Sequence, residues 1–75
     1  MNKVTNIDDV RIGRILKRER ELRCITQVKF AEKIGCKQAI LSLYESGART
    51  IPSDRVAAIA TVLELDQRLI NPKAA

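Results

Sequence analysis

Two short helical patterns separated by one glycine constrain the fold of this 75-residue chain more than any other feature. The first pattern begins near Thr26, which can cap a helix by accepting a hydrogen bond from a free backbone N–H. It ends at Gly35, because glycine adopts the left-handed conformation of a tight turn at little steric cost. The second pattern begins about two residues later and ends at Gly47. The apolar positions at helical spacing are Val28, Phe30, Ala31 and Ile34, followed by Ile40, Leu41 and Tyr44.

Helical patterns also precede and follow this pair. A first helix is predicted over residues 9–23, with Asp8 as its N-cap, after a loose arm at residues 1–7. A further helix is predicted over residues 54–65, with Ser53 as its N-cap. The positions expected to face the core are Ile12, Ile15, Leu16 and Leu22 in the first helix and Val56, Ile59, Ala60 and Leu63 in the later one.

A short fifth helical turn is predicted over residues 66–70, before Asn71-Pro72. The chain is 45% hydrophobic but only 3% aromatic, so its core must be aliphatic. A chain of this length buries only about 60% of its unfolded surface, which leaves room for a single small core. We therefore predict one all-α domain over residues 1–75, a compact bundle of four to five helices.

The charge of the chain indicates a polyanionic partner. The net charge is +5 and the isoelectric point is near 9.7, which suits either nucleic acid or an anionic membrane surface. No apolar run approaches the roughly 18 residues of a transmembrane span, and no signal-peptide pattern opens the sequence. We expect a cytoplasmic protein with no membrane partner, which would associate with the nucleoid if its polyanion is DNA.

The chain contains few residues that support metal binding or catalysis. It has no histidine, and its two cysteines, Cys24 and Cys36, do not form a C-x-x-C motif. Neither a zinc site nor a structural disulfide is predicted. No nucleophile–base set and no phosphate-binding glycine loop are evident. We predict that the protein is not an enzyme and uses no cofactor and no metal.

The two short helices and their turn form a helix-turn-helix motif over residues 27–46. Ala31 is small because the two helices cross closely above it, and Gly35 supplies the positive φ of the turn. Leu41 points into the core and so fixes the rotation of the second of these helices about its axis. The side chains left on the outward face are Lys37, Gln38, Ala39, Ser42 and Leu43.

In these residues the chain resembles the lambda repressor and Cro type of helix-turn-helix domain. The resemblance covers about residues 12–65 and rests on matches at fixed spacings. The matching residues are Ile12-Gly13, Leu16, Arg20, Thr26-Gln27, Phe30-Ala31, Ile34-Gly35, Leu41-Ser42, Glu45, Gly47, Pro52 and residues 60–65. It implies a five-helix bundle and a repressor that binds a palindromic operator in double-stranded DNA as a homodimer. The segment from Ile51 to Arg55 is similar to small phage Cro-type regulators, and Lys37-Gln38-Ala39 is similar to DNA-binding antitoxins.

The resemblance also implies roles for single residues. Gln27 would bind a phosphate and brace Gln38, whose amide can bond adenine N6 and N7 together. Arg20 and Glu45 would form a structural ion pair that links the first helix to the end of the third. Arg49, in the loop after the third helix, would contact a phosphate, which positions the protein without reading sequence.

Three residues depart from the family pattern. Lys37 stands where a small capping residue is usual, and it cannot accept an N–H bond. It either reaches a phosphate or a guanine edge, or it is a poorly capped helix start that the fold tolerates. Leu43 stands where polar residues are frequent. It either reads thymine methyl groups in the groove or packs against the loop after Gly47. The neighbouring Ile40 is expected to flank the core. Cys24 replaces a common glycine between the first two helices.

Other interpretations of the sequence stay open. Leu65, Leu69 and Ile70 would form the dimer interface, or they would simply close the monomer core. A DNA-binding antitoxin would also bind a toxin protein, on its folded surface because only a short segment follows Ile70. The basic side of the first helix carries Arg11, Arg14, Lys17 and Arg18. It would be an ordinary solvated face, contact phosphates, or serve a protein-interaction or membrane-surface module.

Overall fold

The computed structural model describes residues 7–64 and forms four helices there. They are α1 (Ile7–Leu22), α2 (Gln27–Ile34), α3 (Gln38–Ser46) and α4 (Ser53–Leu63). This part of the chain contains no strand, which confirms the predicted all-α fold. None of its helices combines the length and hydropathy that crossing a bilayer would require. The predicted fifth helix and the interface residues Leu65, Leu69 and Ile70 lie outside the described residues, as do residues 1–6 of the arm.

One fully buried cluster joins all four helices. Its largest members are Leu16 from α1, Phe30 from α2, Leu41 from α3, and Ile59 and Leu63 from α4. The apolar pattern predicted for α4 is confirmed, because all four of its residues are buried. Truncating any of the large members to alanine would cost about 2–5 kcal/mol, since each removal leaves a cavity.

Two residues predicted to face the core lie on the surface instead, and a third, Ile15, is half-buried in a surface groove of α1 outside the core cluster. Leu22 is 69% exposed and Val28 is 49% exposed. Helix positions two apart do not face the same way. Arg20 occupies the buried position two residues before Leu22, and Phe30 occupies the one two residues after Val28. Both predictions were therefore wrong for the same geometric reason.

Two predicted helix starts were also wrong. Ile7 and Asp8 belong to α1, so Ile7 is not part of an arm and Asp8 is not the N-cap. Ser53 is the first residue of α4, and Pro52 takes the N-cap position without a side-chain hydrogen bond. The Pro52 carbonyl accepts hydrogen bonds from the backbone N–H groups of Arg55 and Val56, and helix α4 consequently begins one residue earlier than predicted.

The turns on either side of α2 both contain a residue in the left-handed conformation. Gly35 ends α2 with a φ of 78°, as predicted, and the Thr26 hydroxyl accepts the predicted capping bond from the Lys29 N–H at 3.2 Å. Cys24 has a φ of 56°. The backbone there keeps the conformation that a glycine would favour, although an L side chain adopts it only at an energetic cost.

Helix α1 packs against α3 through Gly13, which the family resemblance includes but for which the apolar periodicity gives no role. A Cβ atom on Gly13 would lie 2.5 Å from the carbonyl oxygens of both Tyr44 and Glu45. Gly47 ends α3 with a φ of 82°, and a Cβ atom on it would lie 2.7 Å from the Cα of Val10. These two contacts fix the position of α3 relative to α1.

Three arginines connect the helices through backbone carbonyls. Arg23 donates to the Leu63 carbonyl at the end of α4 at 2.7 Å, and Arg55 donates to the Ile34 carbonyl at the end of α2 at 2.8 Å. Both place a cation at the negative end of a helix dipole. Arg20 donates to the Ile25 carbonyl at 2.6 Å. The guanidinium groups of these three arginines therefore make hydrogen bonds inside the domain.

Candidate nucleic-acid interface

The outer side of α3 is a continuous exposed surface. Gln38, Ala39, Ser42 and Leu43 are exposed, whereas Leu41, Tyr44 and Glu45 are buried. Leu43 is 40% exposed, so it belongs to this surface and not to the core, while Ile40 packs half-buried against the core as expected. We call the exposed residues Lys37, Gln38, Ala39, Ser42 and Leu43 the α3 face.

Lys37 occupies the N-cap position of α3 with an extended backbone, φ −80° and ψ 152°. Its side chain makes no capping hydrogen bond and is exposed. The first free N–H groups of α3 are thus left without a side-chain acceptor, and a positive charge stands at the positive end of the helix dipole. An anion bound at this place would meet both the lysine and the helix end.

A chain of polar contacts leads from the core to the α3 face. The guanidinium of Arg20 donates to the Glu45 carboxylate at 2.6 and 3.2 Å, and both residues are buried. The Gln27 amide donates to Glu45 Oε1 at 3.0 Å, and the Gln38 amide donates to Gln27 Oε1 at 3.2 Å. The hydrogen bond to Glu45 raises the pKa of Arg20 above its usual value, against the opposing effect of desolvation. The predicted Arg20–Glu45 ion pair thus lies behind the two glutamines.

The direction of each hydrogen bond in this chain follows from its buried end. Arg20 can only donate, and the Glu45 carboxylate can only accept. Gln27 must therefore turn its NH₂ group towards Glu45, which leaves its amide oxygen facing Gln38. Gln38 must therefore donate to that oxygen from its own NH₂ group. Within residues 7–64, one N–H and the amide oxygen of Gln38 make no further hydrogen bond, and neither does one N–H of Gln27.

The loop after α3 carries the exposed Arg49 and is fixed at both sides. The Thr50 hydroxyl donates to the Asp9 carboxylate at 2.6 Å, and Gly47 lies against Val10. Asp9 and Thr50 are far apart in the sequence, and neither belongs to a motif that would reveal the contact. The loop is thereby attached to the first turn of α1, and Arg49 has a defined position beside the end of α3.

The described residues offer no arrangement typical of a metal site. Within 7–64, no three histidine, cysteine or acidic side chains come together in a group that could hold an ion. Cys24 and Cys36 are free thiols.

The four-helix fold, the turn at Gly35 and the exposed α3 face define a DNA-binding helix-turn-helix domain of a transcriptional regulator. The chain belongs to the helix-turn-helix family of the lambda repressor and Cro type, because the family model matches residues 16–66, most of its length.

The fold is shared with a solved structure, the restriction-modification controller protein C.AhdI from Aeromonas hydrophila. The two chains are 23% identical and superpose with a TM-score of 0.80 over 87% of this chain and 98% of the other. At this identity the likeness concerns the fold alone. Comparison with curated proteins finds no match.

Proposed function

We propose that the protein is a sequence-specific repressor that binds a palindromic operator in double-stranded DNA as a homodimer, with α3 in the major groove. The observation that carries the proposal is the chain of hydrogen bonds from Arg20 through Glu45 and Gln27 to Gln38. It holds an exposed amide at the start of α3 and fixes which of its atoms face outward.

Gln38 is suited to reading adenine. Its free N–H and amide oxygen form one donor and one acceptor side by side. Adenine presents the complementary pair in the major groove, the N7 acceptor and the N6 amino donor. A bidentate contact of this kind gives about 1–3 kcal/mol of discrimination against a wrong base. The remaining residues of the α3 face complete the reading surface. Leu43 and Ala39 can contact thymine methyl groups, and the Ser42 hydroxyl can donate to or accept from a base edge.

Phosphate contacts would orient the domain on the duplex. Gln27 has one free N–H beside Gln38, Lys37 carries its charge at the uncapped start of α3, and Arg49 stands in the anchored loop beyond its end. These three groups lie at both ends of the α3 face. Because contacts to phosphate carry no sequence information, they add affinity and position while Gln38 and its neighbours discriminate.

The dimer is proposed from the geometry of operators. Two recognition helices must lie about 34 Å apart to read half-sites one helical turn apart. We assign the interface to Leu65, Leu69 and Ile70, the apolar residues that follow α4 in sequence. An interface built from so few apolar residues would be weak in solution and complete on DNA, in the cytoplasm where the nucleoid lies.

Selection of bound sequences from a random pool of duplexes tests the proposal. We expect a palindrome whose half-sites are about one helical turn apart. Failure to enrich any motif from a folded protein would contradict sequence-specific binding, and an enriched motif without two-fold symmetry would contradict the homodimer. An antitoxin would also need a separate surface that binds a toxin protein. Selection of duplexes tests DNA binding alone and does not test that surface.

A further inference from the structure

An open groove runs along α1, outside the helix-turn-helix. We call it the α1 groove, and the described residues that line it all belong to α1: Ile7, Val10, Arg11, Arg14, Ile15 and Arg18. It combines two features, a row of arginines and an apolar floor, that the proposed contact with DNA does not use.

The arginines of the groove carry charge that the described part of the protein leaves unbalanced. Arg11 and Arg14 are exposed, and neither forms an ion pair with any residue in 7–64. Arg18 reaches Glu19 only at 3.7 Å, and the same carboxylate pairs with Arg23 at 2.7 Å. Arginine presents a planar fork that matches a carboxylate or a phosphate through two parallel hydrogen bonds.

The floor of the groove is apolar. Ile7 is 73% exposed, and Val10 and Ile15 are half-buried between the arginines. An apolar surface rimmed by charge is typical of protein–protein contacts, where aliphatic groups fill the centre and polar groups form the rim. A phosphate backbone offers anions but no aliphatic groups for such a floor. The pair of features therefore favours an acidic protein segment over nucleic acid.

The orientation of α1 supports the same choice. Helix α1 packs against the backbone carbonyls of Tyr44 and Glu45, two buried residues in the last turn of α3. At 3.6 residues per turn, Arg11, Arg18 and Arg14 lie about 160°, 140° and 100° around the axis of α1 from Gly13, the point of contact. A duplex held by the α3 face would lie on the other side of α3 from these arginines.

The parts of this chain outside the described residues are poorly matched to the groove in charge. Residues 1–6 carry only Lys3, and residues 65–75 carry Asp66 against Arg68 and Lys73. A second copy of the chain has a net charge of +5 and is disfavoured for the same reason. An acidic partner of different sequence complements the groove best.

We propose that the α1 groove binds an acidic amphipathic segment of a partner protein. Its carboxylates would pair with Arg11, Arg14 and Arg18, and its apolar side chains would cover Ile7, Val10 and Ile15. The proposal rests on the proposed function only in placing DNA on the α3 face. Because a partner at α1 leaves that face open, the domain would hold its operator and the partner at once.

Fluorescence anisotropy of labelled synthetic peptides, measured without DNA, tests this inference. The probe repeats two glutamates and two leucines, so that its helical form is acidic on one side and apolar on the other. The control peptide carries glutamine in place of every leucine. The double variant Arg11→Gln plus Arg14→Gln is compared with Lys29→Gln plus Lys33→Gln, which removes the same charge from exposed positions of α2. Amide spectra of each variant establish that it is folded.

We expect the probe to bind the unaltered protein and the control peptide to bind more weakly. The α1 variant should weaken binding of the probe by about tenfold, because two charge-assisted contacts are lost. The α2 variant should change it less than twofold, and added salt should weaken all binding. Absence of probe binding, or an equal loss in both double variants, overturns the proposal.

Two further measurements exclude other occupants of the groove. Loss of affinity for the selected operator in the α1 variant, with no change in probe binding, would assign the groove to DNA and overturn the proposal. A change in sedimentation mass in that variant would assign it to a second copy, with the same consequence. Nuclear Overhauser contacts between the groove and residues 1–6 or 65–75 of the full chain would assign it to the chain itself and likewise overturn the proposal.

Discussion

Gln38, on the exposed side of α3, donates a hydrogen bond of 3.2 Å to Gln27 at the start of α2. The residue proposed to read the base is therefore oriented by the neighbouring helix and not by α3 alone. Gln27 is held in turn by Glu45, whose carboxylate neutralises the buried Arg20. The stability of the core and the orientation of the Gln38 amide depend on the same four side chains. Stability and base discrimination can be measured separately.

Replacing Arg20 by alanine should lower the free energy of unfolding by about 3–5 kcal/mol, because the Glu45 carboxylate would stay buried without its cation. Urea denaturation measures the change. The matched control is Arg18→Ala, at an exposed position of the same helix, which should cost less than about 0.5 kcal/mol. Equal losses in the two variants would contradict a structural role for the Arg20–Glu45 pair.

Replacing Gly13 by alanine should also destabilise the protein, by about 1–3 kcal/mol. The added Cβ would meet two backbone carbonyls at 2.5 Å, and backbone atoms on both helices cannot move aside cheaply. This effect exceeds the roughly 0.5–1 kcal/mol that alanine usually gains over glycine inside a helix. Thermal unfolding of Gly13→Ala beside Arg14→Ala, an exposed neighbour, measures it. A Gly13 variant as stable as the parent would show that α1 and α3 are farther apart than described.

Replacing Cys24 by glycine should stabilise the protein by about 0.5–1 kcal/mol, because Cys24 has a φ of 56° that only glycine adopts without cost. The matched control, Cys24→Ala, keeps the Cβ atom and removes only the thiol, so its stability should stay near that of the parent. Equilibrium denaturation under reducing conditions compares the three proteins. If alanine stabilises as much as glycine, the thiol and not the backbone is responsible.

Replacing Lys37 by serine should change stability and DNA affinity in opposite directions. Serine can accept a hydrogen bond from the free N–H groups that begin α3, which is worth about 0.5–2 kcal/mol of stability. Loss of the lysine charge should weaken DNA binding and lower the log–log slope of affinity against salt by about one unit.

Melting temperature and anisotropy titrations at several salt concentrations measure both effects of the Lys37 change. Arg18→Ala serves again as the control, because that exposed residue lies about 140° around α1 from Gly13, where α1 contacts α3. An unchanged salt slope for Lys37→Ser would mean that Lys37 is only a poorly capped helix start.

The parts of this structure that the sequence could predict are those set by local chemistry. Gly35 ends α2 and Thr26 caps it, because a turn and a cap depend on a few adjacent residues. The parts that it missed depend on two distant segments meeting. Gly13 matters only because α3 approaches it, and Thr50 finds Asp9 across a separation of 41 residues.

Two exposed apolar residues show a second limit of prediction from the sequence. Leu22 and Val28 have the hydrophobicity of core residues, but the buried places nearest to them are taken by Arg20 and Phe30. A charged residue occupies a buried position only when its partner is present, and no pattern local to α1 reveals Glu45. The family resemblance implies that Arg20 pairs with Glu45, whereas the apolar periodicity of α1 gives no indication that Arg20 is buried.

The central claim is that Gln38, held by Gln27, reads adenine through N6 and N7. The most direct measurement is the affinity of the parent protein and of Gln38→Ala for the selected operator and for the same operator with 7-deazaadenine at the contacted position. This base lacks the N7 acceptor and keeps the N6 amino group. We predict that it weakens binding of the parent by about 1 kcal/mol or more and leaves the Gln38→Ala variant unaffected. An equal loss in both proteins at every adenine of the half-site would contradict the account.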